Sequence, residues 1–380
     1  MLSRETYARR HAALRAMMAE RGLDALVVYG LAPPLNANLE YVAGECRTHG
    51  LALFPAEGEA VLWVQPKALV PFVRRTAIIE VRNGGIDYSD ELIGELRARR
   101  LDRGAIGLVE VDSLRTRGIP HLLYERLKAD LPAARFDTVT EAYEAVRNLL
   151  LPEEQALLER AAEDLDRVID FYVDAVRPGV SLAEVVAATH AFSKERDLGL
   201  SALSARAAAM DRSTSILDPA AASRTLQRGD YVFFESNAAR GPFRAYRGFP
   251  IALGEPPPEV HTLFETALEV ARCVVAALRP GGTTSEAARC GDVVPARGLW
   301  CHGPLATGQS TGGWQMICVR GFDGYRPPTE IIFRPGMAFT VFPHLMTPDN
   351  SVITIVGTSV LVGEDGPRIL GRQGLRYVVQ

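Results

Sequence analysis

The sequence predicts a two-domain α/β protein, and three observations carry that expectation. Residues 1–148 alternate short apolar runs with helical patterns, as a small α/β domain does. A Pro-led, acid-rich helix signal opens at Pro152 and marks a boundary. Residues 149–380 then repeat their own order of turn and strand signals, the mark of a duplicated αβ unit. A length of 380 residues suits two domains of ordinary size.

The elements follow in order. Tyr7, Ala12, Leu14, Met17 and Met18 recur at helical spacing, and Gly22 ends that helix. Leu23–Tyr29 reads as a buried strand. Leu51–Phe54 and Ala60–Val64 are further strands, separated by the turn-like AEGE, and Ala77–Val81 is another. Ser89–Arg99 is helical, Ala105–Val111 a strand, and Ile119–Ala129 helical again. The linker is expected near Arg147–Leu151, and a long helix runs on from Pro152.

The second part echoes itself. RPGVSLAEV starts at Arg177 and RPGGTTSEA at Arg279, an offset of 102 residues. Each follows a helical pattern and sets Ser or Thr before Glu where a helix would start. LQRGDYVFFES from Leu226 and FRPGMAFTVFP from Phe333, offset by 107, both put a turn Gly before an apolar strand. Two echoes in the same order imply a pseudo-twofold domain with a cleft between its halves.

Bulk composition narrows the function. At 47% hydrophobic and 23% charged, the chain can bury a core. A net charge of −4 disfavours sequence-independent nucleic-acid binding. The first thirty residues lack an apolar signal core, and no apolar run reaches membrane-spanning length. The five cysteines (Cys46, Cys273, Cys290, Cys301 and Cys318) form no CxxC pair, so neither a zinc knuckle nor a disulfide framework is indicated. The expectation is a cytoplasmic enzyme-sized protein with a small-molecule substrate and no membrane or nucleic-acid partner.

These motifs together resemble the creatinase / aminopeptidase P / prolidase superfamily. The resemblance rests on NLEYVAG from Asn38, the helix at Pro152, both Arg-Pro-Gly turns, RTLQRGDYVFFE, GPFRAYRGF, and RPGMAFTVFP followed by TSVLVGEDG. It implies a creatinase-type N-terminal α/β domain and a pita-bread C-terminal domain. It also implies a homodimer in which the partner's N-terminal domain helps close the cleft.

The metallopeptidases of that superfamily hold two metal ions with two Asp, one His and two Glu, and bridging water is their nucleophile. The resemblance puts Glu235 at the first Asp and Arg244 at the second. It puts Gln309 at the His, Phe342 at the first Glu, and Val356 or Gly357 at the second. With four of five ligands replaced, no metal and no cofactor is expected here. A metal-free, creatinase-like site is also incomplete: Asp218 stands at that enzyme's His and Tyr246 at one of its Glu positions. Arg47, in RTHG, matches a segment that creatinases use to bind the substrate carboxylate from the partner subunit.

The candidate chemistry follows. Glu235 ends an apolar strand, where it either moves protons in the cleft or is held in an ion pair. Arg244, Tyr246 and Arg247 are candidate substrate binders, Arg being suited to carboxylates. Alternation places Arg244 and Tyr246 on one face and Arg247 on the other, and Arg244 either binds substrate or pairs with Glu235. His344 and His302 are the candidate acid/base residues. Gln309, Asp218 and Arg47 complete the expected binding set, and Asp211 and Arg212 lie near it by analogy. Cys301 beside His302 is a weaker nucleophile candidate, because sequence adjacency is not pair geometry. Gly308, Gly312 and Gly313 read as tight turns at the cleft floor.

The expected function is a metal-independent, creatinase-like enzyme acting on a C–N bond of a small carboxylate-bearing nitrogen compound. Two alternatives stand beside it. One is an inactive pita-bread binding protein, its cleft filled by Phe342, Met316 and Trp314. The other is an Xaa-Pro peptidase-like metallohydrolase with an unusual metal site.

Overall fold

Ser3 starts the first helix by accepting the Thr6 N–H at 3.1 Å, and Gly22 at φ 61° ends it, a left-handed position that suits a residue without Cβ. The structure is a computed structural model and describes residues 2–32, 35–112, 117–310, 313–315 and 330–380. The chain divides into two compact units, Met1–Glu153 with Ser310–Met316, and Glu154–Gln309 with Ile317–Gln380.

In the first unit, α1 is Arg4–Arg21, β1 Ala25–Gly30, α2 Ala37–Ala43, β2 Gly50–Pro55, β3 Val61–Val64 and β4 Glu80–Asn83. Then come α3 Ser89–Ala98, β5 Ala105–Val109, α4 His121–Asp130, β6 Arg135–Thr138 and α5 Thr140–Arg147. The strands form one sheet in the order β4-β3-β2-β1-β5-β6. Alternation divides its apolar side chains between two cores. Leu26, Val28, Phe54 and Leu62 pack with α1 residues on one face, and Val27, Leu53, Val61 and Trp63 pack with Leu92 and Leu127 on the other.

The strand expected at Ala77–Val81 lies at Glu80–Asn83 instead. The backbone just before it is already used: Ile78 donates to the Ala43 carbonyl at 2.9 Å, and Ala77 bridges to Gly44. Helices α2 and α5, and strand β6, are additions to the expected order.

In the second unit, α6 (Pro152–Ala175) leads to α7 (Leu182–Glu195), β7 (Leu200–Ala209), β8 (Asp230–Arg240), β9 (Phe243–Gly248) and β10 (Ile251–Ala252). The order continues with α8 (Pro258–Ala277), α9 (Thr284–Arg289), β11 (Trp300–Cys301), β12 (Ala306–Ser310), β13 (Ala338–Val341), β14 (His344–Met346), β15 (Ile353–Ile355), β16 (Gly357–Gly363), β17 (Gly366–Ile369) and β18 (Val378–Val379). From β12 the large sheet runs β12-β13-β16-β9-β8-β10-β18, with β7 also on β8 and β17 on β16. A small sheet has the order β11-β14-β15.

The duplication is physical. Gly179 donates to the Leu226 carbonyl at 2.8 Å, and Gly281 to the Phe333 carbonyl at 2.9 Å. Ser181 bridges to Thr225, and Thr283 to Ile332. Ser181 with Glu184 forms a full capping box on α7, and Thr283 accepts the Glu286 N–H on α9. The turn residues Gly229 and Gly336 have φ of 88° and 89°.

The cysteine expectation needs one correction. Cys273 on α8 and Cys290, which ends α9, form a disulfide with Cα atoms 5.7 Å apart. Their separation of 17 residues matches no short motif, and the helix–turn–helix path brings them together. Among the described residues, no helix is long and apolar enough to cross a membrane.

Candidate active site

The site is built on one face of the second unit's sheet. Gly229 turns the chain into β8, where Asp230 is buried and ion-paired to Arg224 at 2.8 Å. From there alternation sends Phe233, Glu235 and Asn237 to one face, and Val232, Phe234 and Ser236 to the other. Antiparallel pairing sets Glu235 opposite Gly248 and Asn237 opposite Tyr246, so Tyr246 shares the face of Glu235. Across β16, β13 and β12 that face continues through Ser359, Thr340 and Thr307, and then Gln309. Ser359 Oγ accepts the Tyr246 N–H at 2.9 Å and fixes this register.

Glu235 is the centre of the group. Its Oε1 accepts the Tyr246 hydroxyl at 2.8 Å and lies 3.6 Å from His344 Nε2, an ion-pair separation. The Glu235 side chain is 28% exposed and that of His344 17%, so both stay within reach of a small ligand. Burial alone would raise the Glu235 carboxyl. The His344 imidazole and the Tyr246 hydroxyl outweigh it and hold the carboxyl below its ordinary range. Burial, and then the charge of Glu235, push the Tyr246 phenol well up, so it stays a donor.

Phe342 packs beneath this pair. It is buried, with its ring centroid 5.8 Å from Tyr246 and 5.7 Å from His344. Ile355 and Phe233 pack onto the same cluster.

The other expected residues fall in several places. Arg244 is half-buried opposite Ala239, four residues along the strand from the Glu235–Gly248 pair, a span of about 13 Å. It makes no ion pair with Glu235. The residue that touches Glu235 across the strands is Tyr246, so the position that would have to supply a second acid beside Glu235 is 246, not 244. Gln309 is 8% exposed; its Nε2 donates to the Arg244 carbonyl, and its Oε1 has no hydrogen-bond partner among the described residues.

Arg247 does not line the site. It is 1% exposed on the opposite face, paired with Asp166 of α6 at 3.0 Å, and it also donates to Leu370 O at 2.9 Å and to Thr358. Asp218 is exposed and accepts the Ala220 N–H at 2.7 Å, capping the turn at Pro219–Ala222. Asp211 accepts from Ser213, and Arg212 pairs with Glu259 and Asp349.

His302 is exposed beside Trp300, with ring centroids 5.9 Å apart, and its backbone N–H donates to the His344 carbonyl at 2.9 Å. The Cys301 thiol donates to Gly303 O. In the first unit, Arg47 is exposed at φ 38° and paired with Glu45. Gly312, Met316 and the Trp314 side chain lie outside the described residues. The sequence reading missed Phe233, Ser359 and Asp166. Only Phe233 had a local signal, the alternation in YVFFE.

The donor set does not fit a dinuclear metal centre. Among the described residues, Glu235 is the one carboxylate in contact with this cluster, and its neighbours are a phenol, a phenyl ring and one imidazole. Among the described residues, no group of three or more His, Cys, Asp or Glu is arranged to hold a metal ion.

The sequence profile "Metallopeptidase family M24" matches residues 156–369, and "Creatinase/Prolidase N-terminal domain" matches residues 10–149. The chain belongs to the M24 family. It is 22% identical over 374 residues to "Uncharacterized peptidase YqhT" of Bacillus subtilis (strain 168), covering 94% of this chain and 96% of that one. The "Xaa-Pro dipeptidase" of Pyrococcus furiosus is 21% identical over 66% of this chain and 71% of its own. Among solved structures, dipeptidase PepE from Mycobacterium ulcerans has a TM-score of 0.79 at 21% identity, covering 100% of this chain and 99% of that one. At these identities the structural likeness establishes the fold: a creatinase-type N-terminal domain and a pita-bread C-terminal domain.

Proposed function

We propose that this M24 member hydrolyses a C–N bond in a small amide or dipeptide-like compound that bears a carboxylate, and that it does so without the family's dinuclear metal centre. The observation that carries the reading is the contact of Glu235 with His344 and Tyr246. A carboxylate held ionised beside an imidazole is the arrangement of a general acid/base pair. His344 takes a proton from water as the water oxygen bonds to the carbonyl carbon. It then returns that proton to the nitrogen as the C–N bond breaks. Glu235 stays ionised and offsets the transient imidazolium, and the Tyr246 hydroxyl holds Glu235 in place. Arg244, with no side-chain partner among the described residues, is the cation for the substrate carboxylate. The reading includes a homodimer that brings the Arg47 loop to the cleft.

The test is a turnover screen of small amides and dipeptides, with and without a chelator. Glu235→Gln or His344→Gln should lower kcat at least ~100-fold, the usual scale for losing an acid/base group. Full chelator sensitivity of the wild type would sink the metal-free step. A second reading, a binding protein without turnover, is favoured by the packing of Phe342 into the floor. Saturable binding with no hydrolysis of any compound would select it.

A further inference from the structure

Gln309 carries a constraint that the acid/base pair does not. Its amide is oriented by chemistry: a carbonyl, that of Arg244, accepts from it, so the group facing Arg244 O must be the NH₂ end. The Gln309 carbonyl oxygen is therefore turned away from Arg244. It is buried and accepts no hydrogen bond from the described residues. Buried acceptors left open are rare and costly in folded proteins. Strand alternation sets this side chain on the face that holds Thr307, Thr340, Ser359, Tyr246 and Glu235.

The Gln309 backbone lies one strand beyond β13, and its amide is tied to the main chain of Arg244, whose guanidinium has no side-chain partner among the described residues. The open acceptor is thus anchored on the backbone of the residue that the proposed reading assigns to the substrate carboxylate. A ligand that satisfies both must present an N–H donor close to a carboxylate.

We propose that Gln309 is a specificity-determining residue that accepts an N–H from the substrate. This deepens the proposed hydrolase reading and rests on it. It names the substrate class as secondary amides, ureides or amidines that keep an N–H next to a carboxylate-bearing carbon. Tertiary amides of the Xaa-Pro type lack that N–H and would leave the Gln309 oxygen buried and unpaired. A site built to bond a substrate N–H rejects the analogue without it far more strongly than an apolar pocket rejects a missing methyl.

The experiment uses N-methyl matched pairs: N-acetylglycine against N-acetylsarcosine, and glycylglycine against glycylsarcosine. Affinities are measured by titration calorimetry on the full chain, as wild type and as Gln309→Met. In the wild type the N–H member should bind about tenfold tighter or more, and in Gln309→Met the ratio should fall to near one. Equal affinities in the wild type overturn the proposal and leave the hydrolase reading standing, and that comparison needs no variant to fold. A ratio that survives in Gln309→Met also overturns it. The expected ratios without turnover uphold Gln309 as the selector while the hydrolase reading fails. No saturable binding by any of the four overturns both.

Discussion

Replacing Arg247 tests whether the second arginine of FRAYRGF serves the frame or the ligand. Its guanidinium is buried against Asp166, whose side chain is 2% exposed. Asp166 has other calls on it, since its Oδ2 accepts the Arg372 N–H, and Gly371 at φ 76° would bring a Cβ to 2.5 Å from that oxygen. The pair therefore joins α6, β9, β16 through Thr358, and the C-terminal segment. Arg247→Met leaves the carboxylate buried with the Arg372 N–H as its remaining donor. Breaking one side of a buried pair costs about 3–5 kcal/mol, whereas replacing both partners by apolar groups of similar size is often near neutral. Asp166→Leu with Arg247→Met should thus recover at least ~2 kcal/mol of the summed single losses. Two units unfold in this chain, so the assay is hydrogen exchange of the β8 and β9 amides rather than a global melt. If Arg247→Met leaves β8 and β9 within about 1 kcal/mol of wild type but abolishes ligand binding, the residue serves the cleft and the reasoning is wrong.

Three further outcomes follow from the same geometry. The folded state lowers the Glu235 carboxyl, so its contribution is fully present above the ordinary glutamate range and is lost as pH falls through the lowered folded value; the stability gap between wild type and Glu235→Gln should narrow from pH 7 to pH ~3, and a gap that stays constant would contradict the assigned contacts. Phe342→Glu with Tyr246→Asp should create a carboxylate cluster with Glu235, so that Mn²⁺ raises the Tm of this variant and leaves the wild type unchanged; a similar rise in wild type would mean that a metal site exists. The Cys273–Cys290 bond closes a 17-residue separation, so reduction should weaken the α8–α9 region by about 3 kcal/mol on a chain-entropy account, and titration of the denatured chain should find at least two more thiols after reduction than before.

The legible parts of the sequence were those with a local mechanism. Gly22 as a helix stop, Ser181 and Thr283 as caps, and the Gly229 and Gly336 turns each depend on a residue and its near neighbours, so spacing alone exposed them. Helix α2 was hidden because Ala37–Ala43 is short and almost wholly buried, which erases the amphipathic period. Strand β4 was misplaced because the Ala43 carbonyl, far away in sequence, takes the Ile78 N–H.

The site divided the same way. Glu235 and His344 could be named from strand ends, but their contact spans 109 residues and is set by the packing of two sheets. Arg244 and Arg247 look alike in FRAYRGF. Alternation alone sets them on opposite faces, and register adds which face is the site's: Arg244 lies opposite Ala239 on the site face, Arg247 opposite Ser236 on the face packed against α6.

This register also shows how, in the proposed reading, the frame can hold without carboxylates at positions 246 and 342. Several interactions that hold the pseudo-twofold unit lie off the site face: the paired Gly179–Leu226 and Gly281–Phe333 bonds, the two helix caps, and the Asp166–Arg247 pair. None of them passes through positions 235, 246, 309 or 342. A cluster of like-charged carboxylates is stable only when cations offset their repulsion. Tyr246 and Phe342 remove that requirement: one donates to Glu235, and the other packs on Tyr246 and His344. Repulsion at the cleft floor is thereby replaced by packing. Glu235 is held below its ordinary range with one imidazole as its counterpart, the condition that the proposed proton transfer requires. The site face can therefore change its chemistry while the frame behind it stays folded.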